Sequence, residues 1–260
     1  MVQECLVPVN HSLEKRVSNM SRLKVLLTGP GGRVGPHILP TFLDRYDLTV
    51  VDLKPVDGVE STVITDLQDR ELLKNTMAGV DVVVHLAATS DEAPFVEQLV
   101  PNNVIGFYNV VEAAREAGVR RVVFASSIHT VNGRVQTVPI HPSESPSPIT
   151  TYGVTKVFGE VLGRHYHDQH GLEFIAIRIG AFQPYDSPWL AQERGPHNVW
   201  LSPRDMCQIL TLAVEREGIG YAVVNATSKP RQEYLSLDEA RAGLGYEPVD
   251  DAQDYYTGPK

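Results

Sequence analysis

Seven short apolar runs rich in β-branched residues punctuate the chain: KVLLTG (24–29), DLTVVD (47–52), STVIT (61–65), VDVVVHLA (80–87), RRVVFASS (120–127), LEFIAIRIG (172–180) and YAVVNA (221–226). Their length fits strands, and their near-continuous apolarity fits strands covered on both faces. Between them, NVIGFYNVVEAAREAG (103–118) and TTYGVTKVFGEVLGRHYHDQHG (150–171) carry the apolar spacing of helices. Each ends on a glycine, the residue that most readily closes a helix in the left-handed conformation. Strand and helix alternate, which predicts an α/β fold: a Rossmann-like, doubly wound parallel sheet binding ligands at the carboxyl ends of its strands.

Residues 1–21 lack strand or helix periodicity and read as a flexible extension. Residues 22–180 carry the strand and helix alternation of a nucleotide-binding unit, and 181–260 supply a small substrate lobe interleaved with it in one compact unit. Two irregular, proline-bearing segments, TVPIHPSESPSP (137–148) and QPYDSPWLAQERGPHN (183–198), are expected to face substrate. After the second, Ser202 caps a helix with Pro203 in its first turn, and LSLDEARAGLGYEP (235–248) closes with a short helix.

Lys and Arg number 23 against 32 Asp and Glu, a formal net charge of −9 that disfavours a nucleic-acid partner. The two cysteines, Cys5 and Cys207, supply neither a disulfide framework nor a metal knuckle, which suits the cytoplasm. No apolar run reaches the roughly 18 to 20 residues of a membrane helix. The histidines of HYHDQH (165–170) spread around a helix instead of gathering on one face, so no metal is expected.

The segment TGPGGRVG (28–35) lies between the first strand and a helix. Gly29 permits the tight turn, Gly32 lets backbone approach a pyrophosphate, and Gly35 allows the helix to pack closely on the strand. Asp52 ends the next strand 17 residues after Gly35, where a carboxylate accepts from ribose hydroxyls and opposes a 2′-phosphate. NAD is therefore expected over NADP. Asp66 and Leu67 end the third strand beside the expected adenine, and the small residues of HLAAT (85–89) end the fourth.

Tyr152 and Lys156 stand one turn apart at the start of a helix, about 25 residues after Ser126 and Ser127 at a strand end. A carbinol oxidised by hydride loss must also lose its hydroxyl proton, whereas free tyrosine titrates near ~10. Bringing the phenol near neutrality requires about three pKa units, or about 4 kcal/mol. One unit charge ~4 Å away at an effective dielectric of ~20 has that strength. Lys156 and an oxidised nicotinamide are the expected sources, with Ser127 holding the substrate oxygen.

With TGPGGRVG, HLAA, SS, YGVTK and LGYEP in this order, residues 22 to about 250 resemble the extended short-chain dehydrogenase/reductases, the NAD-dependent epimerase/dehydratase group. NNVIGFYNVVEAAREAG, VVFASSIHT, YGVTKVFGE, IRIG and WLSPRD are most similar to uronate dehydrogenases and haloarchaeal sugar dehydrogenases. The resemblance implies oxidation of a sugar or sugar acid at C1 to a lactone, with NAD as acceptor. It implies catalysis by Ser127, Tyr152 and Lys156. It also implies cofactor contacts by Arg33, Val34, Leu86, Ala87, Ala88, Asn103 and Ile179, besides Tyr152, Lys156 and the residues of the glycine turn and strand ends. Substrate contacts are implied for Ser90, Ser126, His129 and Arg194, with Arg194 clamping an anionic group.

Two departures count against a uronate itself. Ile128 stands where those enzymes carry an asparagine, and Ala181 where they carry a serine near the substrate carboxylate. A nucleotide-sugar epimerase and a non-catalytic NAD sensor are the competing readings, and the resemblance implies a homo-oligomer pairing through the 103–118 and 150–171 helices.

Overall fold

The computed structural model describes residues 22–134, 138–192 and 197–255. The extension at 1–21 and the expected clamp Arg194 lie outside the described residues. Strands β1 (Lys24–Thr28), β2 (Asp47–Asp52), β3 (Thr62–Ile64), β4 (Val82–His85), β5 (Arg121–Ser127), β6 (Glu173–Ile179) and β9 (Tyr221–Ala226) form one parallel sheet in the order β3-β2-β1-β4-β5-β6-β9. A separate two-stranded pair joins β7 (Ala181–Phe182) to β8 (Trp200–Leu201), which the apolar runs had not marked because each strand is only two residues long.

Alternation along the strands divides the core in two. Val25, Leu27, Val82, Val84, Val123, Ile175 and Ile177 face α1 (Gly35–Arg45) and α5 (Pro203–Glu215), where Phe42, Met206 and Ile209 meet them. Leu26, Val83, Val122, Phe124 and Phe174 face the other layer, including α2 (Arg70–Thr76), α3 (Gly106–Ala117) and α4 (Thr151–His170). The region 181–260 is interleaved with the sheet, since it contributes α5, β9 and α6 (Asp238–Leu244).

Gly118 and Gly171 end α3 and α4 with positive φ, and the Ser202 hydroxyl caps α5 by accepting from Asp205 N–H at 3.0 Å. The expected helix over 103–118 is α-helical only from Gly106. A wider π-type segment, Phe95–Ile105, feeds into it across Pro101, and the Gly106 N–H reaches back to the Pro101 carbonyl. Gly35 has a different reason from the expected one: a Cβ there would meet the Pro30 carbonyl oxygen at 1.8 Å, so the constraint lies within the turn and not against a strand.

Strand order reverses between β1 and β4, whose successors β2 and β5 lie on opposite sides. That divergence opens a crevice at their carboxyl ends.

Candidate active site

A cavity of about 920 Å³ follows those carboxyl ends, from Asp52 and Asp66 beyond β2 and β3 to Ser127 and Ile179 at the ends of β5 and β6. Its size lies within the range of pockets that hold cofactors and small substrates. Gly29, with φ +73°, turns the chain so tightly past β4 that a Cβ would lie 2.5 Å from Ala87 Cα. Gly31 donates its N–H to Asp52 Oδ2 at 2.8 Å, and Leu53 N–H donates to Oδ1 at 2.7 Å. Each carboxylate oxygen thus keeps acceptor capacity for a ribose hydroxyl. Helix α1 begins beside the cavity with no side-chain cap and no acidic residue in its first turn; Pro36 carries no N–H and His37 N–H turns back to the Val34 carbonyl at 3.1 Å, so what the helix offers an anion is its positive end. The helix end, the glycine cradle and the carboxylate fit a dinucleotide.

Ser127, His129, Tyr152 and Lys156 line the same cavity at β5 and α4. Thr150 caps α4 by accepting from Gly153 N–H at 3.0 Å, which sets the first turn and with it Tyr152. Gly153 is needed there because a Cβ would meet the His129 carbonyl oxygen at 2.4 Å. His129 packs edge-on to the Tyr152 ring at 5.4 Å between centres, its backbone N–H donates to Ser127 Oγ at 3.2 Å, and its Nδ1 lies 3.3 Å from Thr150 Oγ1. The Lys156 ammonium is buried, donates to the Ala125 carbonyl at 2.8 Å and lies 5.5 Å from the Tyr152 ring centre.

Burial dominates the electrostatics of this pair. Burial pushes the Tyr152 phenol up to about 12, with Asp91 adding to the rise, while a hydrogen bond with Ser127 and the charge of Arg33 pull it down. Burial also pushes Lys156 down to about 7. Desolvation therefore disfavours both charged forms in the protein alone, and the near-neutral phenol expected of Lys156 together with an oxidised nicotinamide is not a property of the Tyr152–Lys156 pair by itself.

Other candidates divide by where their side chains point. Arg33, Val34, Leu67, Leu86, Ala87, Ala88, Ser90 and Ile179 line the cavity, and so do Ala181 and Ile128. Ser126 borders it, but strand alternation turns its hydroxyl away, where it donates to buried Glu160 at 2.6 Å; Arg178 grips that carboxylate with two contacts of 2.8 Å. A substrate contact by the Ser126 hydroxyl is thereby corrected to a structural one. Asn103 is likewise set back from the cavity. Its amide accepts from Thr89 N–H at 2.8 Å and donates to the Thr89 carbonyl at 2.9 Å and to Thr155 Oγ1 at 3.2 Å, which fixes the loop after β4.

That loop holds groups the sequence reading missed. Asp91, at φ +62°, pairs with Arg33 of the glycine turn at 3.3 Å, and Glu92 accepts from Thr151 Oγ1 at 3.0 Å and from Tyr152 N–H at 3.3 Å. The loop is thus tied both to the cofactor cradle and to the helix bearing Tyr152. SDEAP (90–94) carries no periodic signal, so only a spatial partner reveals these roles.

A model of the NAD dependent epimerase/dehydratase family matches residues 25–184. An NAD-dependent glucose-6-phosphate dehydrogenase of Haloferax volcanii is 37% identical, over 89% of this chain and 95% of that protein. A uronate dehydrogenase of Pseudomonas putida is 33% identical, over 89% of this chain and 86% of its own length. Among solved structures, a mutant uronate dehydrogenase from Agrobacterium tumefaciens complexed with NAD superposes with a TM-score of 0.81 at 31% identity, covering 92% of each chain.

Proposed function

From the premise that this chain belongs to the NAD dependent epimerase/dehydratase family, we propose that it is an NAD-dependent sugar dehydrogenase oxidising the C1 hydroxyl of a sugar or sugar acid to a lactone. The observation that carries this reading is the convergence of Ser127, Tyr152 and Lys156 on one cavity with the Gly29–Gly32 turn and Asp52. The same relatives leave the epimerase reading with less support.

In this reading the pyrophosphate lies against the side-chain-free Gly31–Gly32 backbone and the positive end of α1, Asp52 takes the adenosine ribose, and Asp66 and Leu67 border the adenine. Bound NAD supplies the acceptor for the hydride that leaves C1. Ser127 Oγ hydrogen-bonds the C1 oxygen, and the Tyr152 phenolate takes the hydroxyl proton as the carbon–oxygen double bond of the lactone forms. Lys156 stabilises the phenolate from beneath the ring. Ser90 and His129 contact the sugar. Arg194, outside the described residues, remains the proposed contact for any anionic substituent.

A homo-oligomer belongs to this reading. Ile105 and Tyr108, together with Val154 and Val161 of α4, leave apolar side chains exposed on the two helical segments expected to pair, and Phe95 and Val96 are exposed on the segment that leads into the first. The net charge of −9 disfavours a nucleic-acid partner. Among the described residues, no helix is long and apolar enough to cross a membrane. The cytoplasm is the proposed compartment.

The test is NAD reduction over a panel of aldoses, uronates and sugar phosphates, with Tyr152→Phe beside wild type. The expected result is turnover of at least one sugar, lost in the variant by at least about a thousandfold while NAD binding stays within a few-fold. No turnover of any sugar, or a variant of near-normal rate, refutes the proposal.

A further inference from the structure

Trp189 is 55% exposed, yet it borders the same cavity as Ser127 and Tyr152. Isolated apolar side chains on a surface are ordinary. This one is held in place by its neighbours. Ser187 N–H donates to the Pro184 carbonyl at 3.1 Å and Leu190 N–H to the Ser187 carbonyl at 3.0 Å. Leu190, 1% exposed, sinks into a cluster with Trp200 and Ala252. The turn is thus anchored one residue beyond the indole, which is left standing at the cavity mouth.

Gln183 lines the cavity from the same segment and is fixed on three sides. Its backbone N–H donates to the Leu201 carbonyl at 3.3 Å, its carbonyl accepts from Trp200 Nε1 at 2.9 Å, and its side-chain oxygen accepts from Ser187 Oγ at 2.9 Å. With the amide oxygen engaged, its two N–H donors are the groups left for a ligand. Sheet order decides which ligand they meet. Asp52 and Asp66 mark the adenosine end beyond β2 and β3, whereas Gln183 and Trp189 follow β6, beyond Ser127 on β5. The segment therefore belongs to the end where the reacting alcohol lies.

We infer that Trp189 and Gln183 form a sugar platform, the indole covering the C–H face of a pyranose ring and the amide donating to its hydroxyls. This rests on the sugar-dehydrogenase reading and deepens it, because it assigns ring recognition to two uncharged groups. A pyranose offers apolar C–H faces and a polar rim, and an aromatic plane beside an amide donor matches both. Recognition of the ring is then independent of any charge the substrate carries, so neutral aldopyranoses are substrates.

Two measurements test the platform. In steady state, Trp189→Ala raises KM for the best neutral aldopyranose about tenfold, the equivalent of about 1.4 kcal/mol, with kcat changed less than threefold, and Trp189→Phe falls between the two. The second exploits the presence of only two tryptophans, of which Trp200 is buried. In NAD-loaded Tyr152→Phe protein, adding that sugar changes tryptophan emission, and the change disappears when Trp189→Phe is added. Turnover of sugars with an unchanged KM in Trp189→Ala, or an emission change that survives loss of Trp189, overturns the platform while leaving the dehydrogenase reading intact. Turnover confined to acidic sugars overturns it as well. Absence of turnover with every sugar removes the dehydrogenase reading itself and the platform with it.

Discussion

Replacing Lys156 with methionine removes a charge while keeping a stem of similar length, and the consequence is read in the pH dependence of turnover. The Lys156 ammonium lies 5.5 Å from the Tyr152 ring centre, so at an effective dielectric of ~20 it favours the phenolate by about 3 kcal/mol, or about two pKa units. Starting from a phenol pushed up to about 12 by burial, Lys156 and the positive charge of oxidised nicotinamide together bring the base toward the working range. Burial alone leaves Lys156 near about 7, but each charge of an ammonium–phenolate pair stabilises the other, so loss of the phenolic proton holds the proton on lysine.

The sign follows directly. Without the cation the phenol titrates higher, and the rising limb of kcat/KM moves to more alkaline pH by about two units. At about pH 7.5 the variant loses roughly a hundredfold in rate, and it recovers most of that near about pH 10. The assay is initial-rate NADH formation across buffers of constant ionic strength, for wild type and Lys156→Met, with NAD affinity measured separately. Lys156 also donates to the Ala125 carbonyl, so a purely structural role would depress the rate equally at every pH. A profile unmoved within about half a unit refutes the electrostatic account.

Two further outcomes follow from single residues. Asp52→Ala narrows the preference for NAD over NADP at least about tenfold in binding titrations, because it deletes both the ribose acceptor and the charge opposing a 2′-phosphate; equal binding of the two by wild type refutes the assignment. His85, fully buried against the stacked pair of Phe107 and Phe124 and 2.8 Å from Thr28 Oγ1, is held neutral by desolvation, down to about 3. The unfolded chain therefore takes up a proton below about pH 6.5 that the folded one refuses, and this residue alone removes about 2 kcal/mol of stability by about pH 5. Urea unfolding at the two pH values shows a shallower acid loss in His85→Gln, and equal slopes refute it.

The sheet was legible in the sequence because its central strands, β1, β4, β5 and β6, are buried on both faces and therefore appear as continuous apolar runs. Glycine-ended helices, the Ser202 cap and the Gly29 turn were legible for a related reason: each depends on local backbone geometry that few residue types satisfy. Tyr152 and Lys156 were found by helical spacing and Asp52 by its place at a strand end. Tertiary structure decided what spacing cannot encode. Ser126 and Ser127 are adjacent and chemically identical, yet strand alternation commits one hydroxyl to buried Glu160 and leaves the other at the cavity. For Asn103 the family resemblance implies a cofactor contact, whereas packing turns its amide onto Thr89. The ties of Asp91 and Glu92 and the stance of Trp189 join segments 58 to 60 residues apart or depend on a neighbour's burial, so no local pattern carries them. The charge balance of Tyr152 belongs to the same class. Its residues were named by the sequence, but the sign of the shift depends on how much water the fold leaves around them.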